Sequence, residues 1–393
     1  MNKIKYLDGL RGLAALMVVM HHLLVAFYPA TYSGDFSQTH FGDGKLEVWY
    51  SYSPLSVFTN GNFAVYIFFV LSGFVLSQKY FRTNDSSLLI TSAVKRYFRL
   101  FIPVFFTVTI AFIFLKLHIF YNVSASQVSK SDWWLGTFWQ FNPDINDWLY
   151  NGFIEVFYYG NNKYNTVYWT MSIELFGSML VFALLALTHN LRNRWIIYPV
   201  FLFLFIKTEN FFYASFVVGI LLSNYYPQLI DFGKRKWSIP VKIFLLVVGI
   251  LFGGFFSSQD ISGTIYEKLI VKFVLHNRES FHFYGSAFLV CGIILSPLLI
   301  TVLSIKPISF LGKLSFSLYL LHPIVIGSFS SWLLLQLDYQ QYYNNSVILV
   351  LSLSLLLIFI ASWLMSITID KMSLTLPAKF FEKLFKPIDS EIN

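Results

Sequence analysis

Ionisable side chains inside otherwise apolar segments are the residues of this sequence best suited to chemistry. His22 lies in the first apolar segment, Glu174 in the fourth and His322 in the ninth. An ionisable group within a membrane costs at least about 2.5–3.5 kcal/mol, so each requires a structural or functional reason. An imidazole oriented by a carboxylate is an arrangement used for general base catalysis. The sequence therefore predicts that Glu174 pairs with His22, and a purely structural ion pair is the alternative.

The first apolar segment places a cation and an imidazole on nearly the same helical face. Arg11 and His22 are eleven residues apart, which is close to three turns and roughly 16 Å of helix. Arg11 then lies near one membrane interface and His22 near mid-depth, like one wall of a channel for an anionic ligand. The alternative is a snorkelling arginine and a hydrogen-bonded core histidine. His21 is turned about 100° away and is predicted to be structural.

The ninth apolar segment carries its histidine beside a helix breaker. Pro323 follows His322 and removes a backbone hydrogen bond, which predicts a kink that opens a ligand cavity. A histidine that only satisfies the kinked backbone is the alternative. Trp169 and Asp8 are further candidates for the lining of this cavity.

The stretch KRYFRLFIP forms a basic cluster at the start of the third apolar segment. Arg96 and Arg99 are three residues apart and share a helical face, which suits bidentate binding of phosphate. Lys95 adds a third cation. A topological anchor on the cytoplasmic side and contact with anionic lipid are the alternatives.

Composition identifies the elements that must position these residues. The 393 residues are 56% hydrophobic and only 12% charged, which excludes a soluble globule. The net charge of +8 does not indicate nucleic acid binding, because most cations flank the apolar segments on one side. The single cysteine, Cys291, excludes a disulfide framework and a multi-cysteine metal site, and no metal is predicted.

The apolar segments predict an all-α, polytopic transmembrane bundle of about ten spans with both termini cytoplasmic. Residues 1–370 form the membrane domain, and residues 371–393 form a short cytoplasmic tail. Segment 195–206 is short, so 195–226 is either a re-entrant hairpin or two short spans. The predicted spans are 10–28, 61–78, 99–118, 167–188, 195–206, 211–226, 241–256, 282–303, 314–335 and 346–368.

The two longest polar segments, 29–60 and 119–166, are predicted to lie outside the cell membrane. The second is rich in tryptophan and asparagine, including Trp133, Trp134 and Asn142. Aromatic faces stack on the C–H surfaces of sugars, and amides match hydroxyl groups. A glycan site is one interpretation, and an interfacial aromatic belt is the other.

Taken in order, these stretches resemble acyltransferase family 3, the bacterial multi-pass membrane O-acyltransferases that act on glycans. The resemblance covers nearly the whole chain. The first block is LDGLRG with His22 eleven residues after Arg11. The later blocks are FFVLSGFVLS at 68–77, KRYFR at 95–99, WTMSIE at 169–174 and LSFSLYLLHP at 314–323. Lys95 stands where the family often has arginine, and the adjacent His21 leaves open which imidazole acts.

The resemblance implies acyl-CoA, with acetyl-CoA as the expected ester, as a donor substrate on the cytoplasmic side and no bound cofactor. It implies that His22 is the catalytic base and that a hydroxyl of an envelope or exported glycan, free or lipid-linked, is acylated. The expected location is the bacterial inner membrane, in contact with lipid. Ser172 is a candidate donor to the oxyanion. The cations expected near the phosphates are Arg11, Lys95, Arg96 and Arg99.

Two other classes of protein remain possible from the residues alone. A proton-coupled transporter or flippase of lipid-linked glycan would use the intramembrane histidines and glutamate as a proton relay. A glycan polymerase would also have outer segments rich in aromatic and amide residues. The transporter predicts inverted repeats, which the hydropathy pattern does not show. The polymerase does not require Arg96 and Arg99 at the inner mouth, so substitutions that remove these charges discriminate between the classes.

Overall fold

The computed structural model describes residues 4–255, 264–268 and 277–384, and helices are the only regular secondary structure assigned within them. The principal helices are α1 Lys5–Phe27, α2 Gly61–Thr83, α3 Ser87–Lys116, α4 Trp169–Leu187, α5 Arg194–Lys207, α6 Phe211–Asn224, α7 Ile239–Gly253, α8 Arg278–Leu295, α9 Pro297–Leu303, α10 Lys306–Val325, α11 Tyr339–Ile367 and α12 Ile369–Leu384. A π-helical turn, Ile326–Ser330, follows α10. The predicted all-α membrane bundle is confirmed at this level.

Each of the ten predicted apolar segments is largely helical, but fewer than ten helices are long enough to span a membrane. Among the described residues, seven helices have sufficient length and apolar character, and the bent pair α8–α9 makes an eighth. This pair, predicted as one span, bends by 96° where Pro297 begins α9. Helices α5 and α6 have 14 residues each, whereas a perpendicular span requires about 20. The sidedness of the termini stays a prediction.

Helix α1 lies against α10 with almost no space between the two backbones. A Cβ added to Gly12 would lie 2.5 Å from the backbone nitrogen of Gly312, and one added to Gly312 would overlap the Asp8 carbonyl. Small residues permit this close approach of helices in a membrane. Ten residues beyond these glycines, α1 carries His22 and α10 carries His322. The crossing therefore brings the two histidines to the same depth.

The segments 29–60 and 119–166 fold into short helices and turns at one end of the bundle, called here the loop end. The Ser131 hydroxyl donates to the Val25 carbonyl at 2.7 Å, and the Tyr343 hydroxyl donates to the Phe27 carbonyl at 2.6 Å. These bonds satisfy carbonyl groups at the C-terminus of α1. The opposite end, called here the basic end, carries Arg11 and Arg99. The loop segments therefore cover the C-terminal end of α1, the end nearer to His22.

Candidate active site

His22 and His322 form a hydrogen-bonded pair between α1 and α10. Nδ1 of His22 lies 2.7 Å from Nε2 of His322, and the rings are nearly parallel, with centroids 5.0 Å apart. Nδ1 of His322 lies 2.8 Å from the carbonyl oxygen of Leu318. Because a carbonyl oxygen only accepts, Nδ1 of His322 carries the proton.

This contact assigns the tautomer of His22 as well. With both rings neutral, Nε2 of His322 is an acceptor, so Nδ1–H of His22 donates to it. The lone pair on Nε2 of His22 is then available to take a proton from a ligand. Trp134 stacks on the His22 ring, with centroids 5.0 Å apart and planes 20° apart. The histidine pair thus has the geometry of an oriented base, walled on one side by a loop-end segment.

His21 points away from this pair. Its Nδ1 lies 3.0 Å from the carbonyl oxygen of Thr59, at the turn that precedes α2. The ring is 9% exposed. This contact ties α1 to the start of α2, which is the structural role that the sequence predicts for His21.

A cavity of about 530 Å³ opens at the basic end among α1, α2, α3, α4, α10, α11 and α12. Cations outnumber carboxylates on its wall by five to two. The charged residues of the wall are Arg11, Arg96, Arg99, Lys313, Lys371, Glu174 and Asp370. A net charge of +3 in a partly enclosed space favours a polyanionic ligand.

Glu174 forms its ion pair with Arg96, not with His22. The Ser72 hydroxyl donates to the Glu174 carboxylate at 2.5 Å, and Nε of Arg96 donates to the Ser178 hydroxyl at 2.9 Å. The side chains of Arg96 and Glu174 are 13% and 12% exposed. The predicted pairing of Glu174 with His22 is wrong. The Glu174 carboxylate is bound by Arg96 of α3 and Ser72 of α2, and His22 is bound by His322 of α10.

Arg11 is oriented by its neighbour on the same helix. An Nη of Arg11 donates to the Asp8 carboxylate at 2.6 Å, which makes Asp8 an orienting residue behind the cavity wall. The buried Nε of Arg11 has no hydrogen-bond partner among the described residues. A guanidinium with an unused N–H group on the wall of a cationic cavity is suited to an anionic ligand.

Tyr319 lies between the cavity and the histidine pair. Its ring lines the cavity, and its centroid is 6.2 Å from that of His322 one turn further along α10. The Tyr319 and Thr170 hydroxyls are 2.8 Å apart, and the ring meets Phe68 edge-on. One hydrogen-bonded side chain therefore separates the cationic cavity from the candidate base.

Comparison with known proteins places this architecture in a family. Residues 4–367 match the family model described as the acyltransferase domain of acyltransferase family 3. The chain belongs to acyltransferase family 3. This membership confirms the resemblance inferred from the sequence motifs and the predicted class of enzyme.

This acyltransferase is also similar to a curated protein, the O-acetyltransferase PaAT-1 of Phomopsis amygdali. The two are 25% identical over an alignment that covers 49% of this chain and 42% of the relative. The alignment thus spans less than half the length of that relative. No solved structure matches the acyltransferase.

Two residues assigned to the acyltransferase site from sequence lie elsewhere. The Ser172 hydroxyl donates to the Trp169 carbonyl at 3.2 Å and lies against Gly160 in the loop-end segment. Thr170 and Glu174 share the cavity face of α4, and Ser172 is turned about 160–200° from them. The predicted oxyanion role of Ser172 is therefore not supported. Trp169 lines a different cavity, at the loop end.

Lys95 and several unpredicted residues complete the description of the cavity. Lys95 is half-buried on the face of α3 next to Arg96 and is not part of the cavity wall. The cavity wall also contains residues that were not predicted from the sequence, including Ser72, Thr170, Lys313, Tyr319, Asp370 and Lys371. For Tyr319, the spacing of three residues from His322 was an available signal. Asp370 follows the last apolar segment, and the packing of α12 against α3 brings Asp370 to the cavity wall. Residues 385–393 of the predicted tail lie outside the described residues.

Proposed function

We propose that this chain transfers an acyl group, acetyl in the simplest case, from cytoplasmic acyl-CoA to a hydroxyl of an envelope or exported glycan. The proposed setting is the bacterial inner membrane, with the basic end facing the cytoplasm. The observation that carries the proposal is that three features follow one another from the basic end toward the loop end of the bundle. These are the cationic cavity, Tyr319 and the His22–His322 pair.

The donor binds with its phosphates at the basic end. Arg11 and Arg99 offer planar guanidinium groups, and Lys313 and Lys371 add flexible point charges. Arg96 is engaged by Glu174 and shapes the wall without being free to bind phosphate. From Arg11 to His22 the pantetheine arm has to cover about 16 Å along α1, past Tyr319. The arm is slim and uncharged, which suits the apolar upper part of the cavity.

His22 acts as the general base. Its Nε2 accepts the proton of the acceptor hydroxyl while the hydroxyl oxygen attacks the thioester carbonyl carbon. The C–S bond then breaks, the ester C–O bond remains, and the proton passes from His22 to the departing thiolate of CoA. His322 holds Nδ1–H of His22 and so keeps the basic nitrogen directed away from the pair. His22 is returned to its neutral form at the end of the cycle.

The test compares transfer of radiolabelled acetyl from acetyl-CoA to native glycan fractions in membranes. The variants are His22→Ala and Arg99→Gln, with His118→Asn as a control, because His118 is exposed and its φ of 54° is tolerated by asparagine. Loss of label in both variants, at normal protein levels and with an active control, is the expected result. Arg96 is avoided because its removal leaves Glu174 buried without its cation. Absence of transfer by the wild type from several CoA esters would refute the proposal.

A further inference from the structure

A second cavity, of about 330 Å³, lies at the loop end of the bundle. It is formed by the first two turns of α2 and α8 together with Trp169 of α4 and Phe212 of α6. Its volume lies in the range of roughly 300–1,000 Å³ that small-molecule sites occupy. We propose that this cavity binds one uncharged sugar unit of the acceptor. The proposal rests on the proposed function and deepens it by assigning the acceptor site.

Two residues that line this cavity each carry a buried polar atom that lacks a hydrogen-bond partner among the described residues. These atoms are the hydroxyl of Tyr66 and Nδ1 of His282. Tyr66 is 2% exposed and His282 is fully buried. Their rings meet edge-on with centroids 6.0 Å apart. A buried polar group left without a partner is costly, so two such groups side by side indicate a missing polar ligand.

The two atoms have opposite hydrogen-bonding roles. Nε2 of His282 lies 2.6 Å from the Phe255 carbonyl, which only accepts, so Nε2 carries the proton and Nδ1 of the neutral ring is an acceptor. The Asn60 amide, also near Nε2, donates to the Gly253 and Phe255 carbonyls. Tyr66 supplies an O–H donor. A hydroxyl group accepts from one partner and donates to another, so it matches this pair of atoms.

The charges on the wall favour a ligand without net charge. An Nη of Arg278 lies 3.3 Å from the Glu279 carboxylate, so the cation and the anion compensate each other. The other Nη of Arg278 donates to the Tyr32 hydroxyl at 3.0 Å. This balance contrasts with the net charge of +3 on the wall of the basic cavity. An anionic headgroup would face Glu279 as well as Arg278.

The remaining wall suits the apolar faces of a sugar ring. Trp169 and Phe212 are half-buried, with ring centroids 5.6 Å apart, and Phe212 stacks on Tyr66. Aromatic faces provide contact area for C–H groups with little loss of side-chain entropy. Asn62 adds an amide, which both donates and accepts. An aromatic platform with amide and hydroxyl groups is the chemistry that recognises neutral carbohydrate.

A chain of side-chain contacts links the cavity to the candidate base. Tyr32, which accepts from Arg278, contacts the ring of His21 edge-on at 5.2 Å between centroids. His21 and His22 are neighbours on α1, with centroids 5.2 Å apart. Trp169 directly precedes Thr170, whose hydroxyl contacts Tyr319. These contacts connect the wall of the cavity to the part of α1 that carries His22.

The experiment measures binding of uncharged methyl glycosides to the full-length protein in lipid nanodiscs, by saturation-transfer difference NMR without donor. The panel contains methyl hexosides, methyl 6-deoxyhexosides and methyl N-acetylhexosaminides. Tyr66→Phe removes only the donor, and His282→Gln removes Nδ1 but retains an N–H group for the Phe255 carbonyl. Tyr284→Phe is the control, because Tyr284 is half-buried on α8 outside the cavity wall.

At least one glycoside is expected to bind the wild type, and each variant is expected to bind it roughly three- to tenfold more weakly, the effect of one hydrogen bond. The Tyr284→Phe protein should bind like the wild type. Absence of binding by the whole panel, unchanged affinity in His282→Gln, or preferential competition by glycerol phosphate would overturn the assignment.

Binding of acetyl-CoA, measured separately by equilibrium dialysis, distinguishes this proposal from the proposed function. Failure of the wild type to bind acetyl-CoA would refute the donor assignment and leave the glycoside result standing. Normal acetyl-CoA binding by a protein that binds no glycoside would refute the acceptor site alone. Both substituted proteins should retain the acetyl-CoA affinity of the wild type.

Discussion

Nδ1 of His22 lies 2.7 Å from Nε2 of His322, a residue 300 positions away in the sequence. The Leu318 carbonyl fixes the proton on the far nitrogen of His322, so the direction of the hydrogen bond through the pair is determined. His322 thereby replaces the carboxylate that the sequence suggested as the orienting group of His22.

Substitution of His322 by alanine is expected to lower kcat for acyl transfer by about 10- to 100-fold, because the partner that orients the imidazole and selects its tautomer is lost. His22→Ala is expected to cost more, about 10²- to 10⁴-fold. The KM for acetyl-CoA should change little in either variant, because neither histidine lines the cationic cavity. Steady-state kinetics with purified protein test this split. An unchanged kcat in His322→Ala would contradict the positioning role.

Gly312→Ala is expected to reduce both stability and kcat. The added Cβ would overlap the Asp8 carbonyl and force α1 and α10 apart, at a cost of about 1–3 kcal/mol for overpacking. Because the same two helices carry the histidine pair, the separation should also lengthen the His22–His322 contact. Thermal unfolding and kinetics should be compared with those of Ser352→Ala, which changes an exposed position of α11. Wild-type behaviour of Gly312→Ala would show that the helices adjust freely.

Removal of either partner of the Arg96–Glu174 ion pair is expected to destabilise the protein by about 3–5 kcal/mol, since the other charge is left buried. The double variant Arg96→Leu/Glu174→Leu should lose less stability than the sum of the two single variants. Unfolding of detergent-purified protein provides the measurement. Lys234→Ala is the matched control, because its ion pair with Asp231 is exposed and should contribute less than about 1 kcal/mol. Additive losses would show that the two charges do not interact.

Acidification is expected to loosen the loop end at His40. Burial and the nearby Lys130 lower the pKa of His40 below its usual value of 6.5. The unfolded segment therefore binds the proton more readily, so stability is fully present above about pH 6.5 and is lost as the pH falls toward the lower folded pKa.

Hydrogen exchange of residues 36–52 between about pH 8 and pH 5, corrected for intrinsic exchange rates, measures this effect. His40 stacks on Tyr343 with centroids 3.9 Å apart, and its Nε2 lies 2.9 Å from the Ser129 carbonyl. His40→Gln retains an N–H group for that carbonyl and should weaken the pH dependence, whereas His118→Asn should not. A pH dependence that persists in His40→Gln would assign the effect to another group.

The sequence by itself determined the helical class, the positions of the apolar helices and three of the five cations on the wall of the basic cavity. Arg11, Arg96 and Arg99 were predicted together and line one cavity. These features are local, because hydrophobic run length, helical period and proximity to a membrane interface are properties of neighbouring residues.

The tertiary structure decided which buried groups meet. It pairs Glu174 with Arg96, pairs His22 with His322, turns Ser172 away from the cavity and brings Asp370 to its wall. Each outcome depends on how helices from distant parts of the chain are rotated and how closely they approach, as at the glycine crossing of α1 and α10. The hydrophobic periodicity of a sequence indicates which face of a helix is buried, but it does not indicate which other helix packs against that face. A buried charge or imidazole therefore finds its partner only when the packing of the bundle is complete.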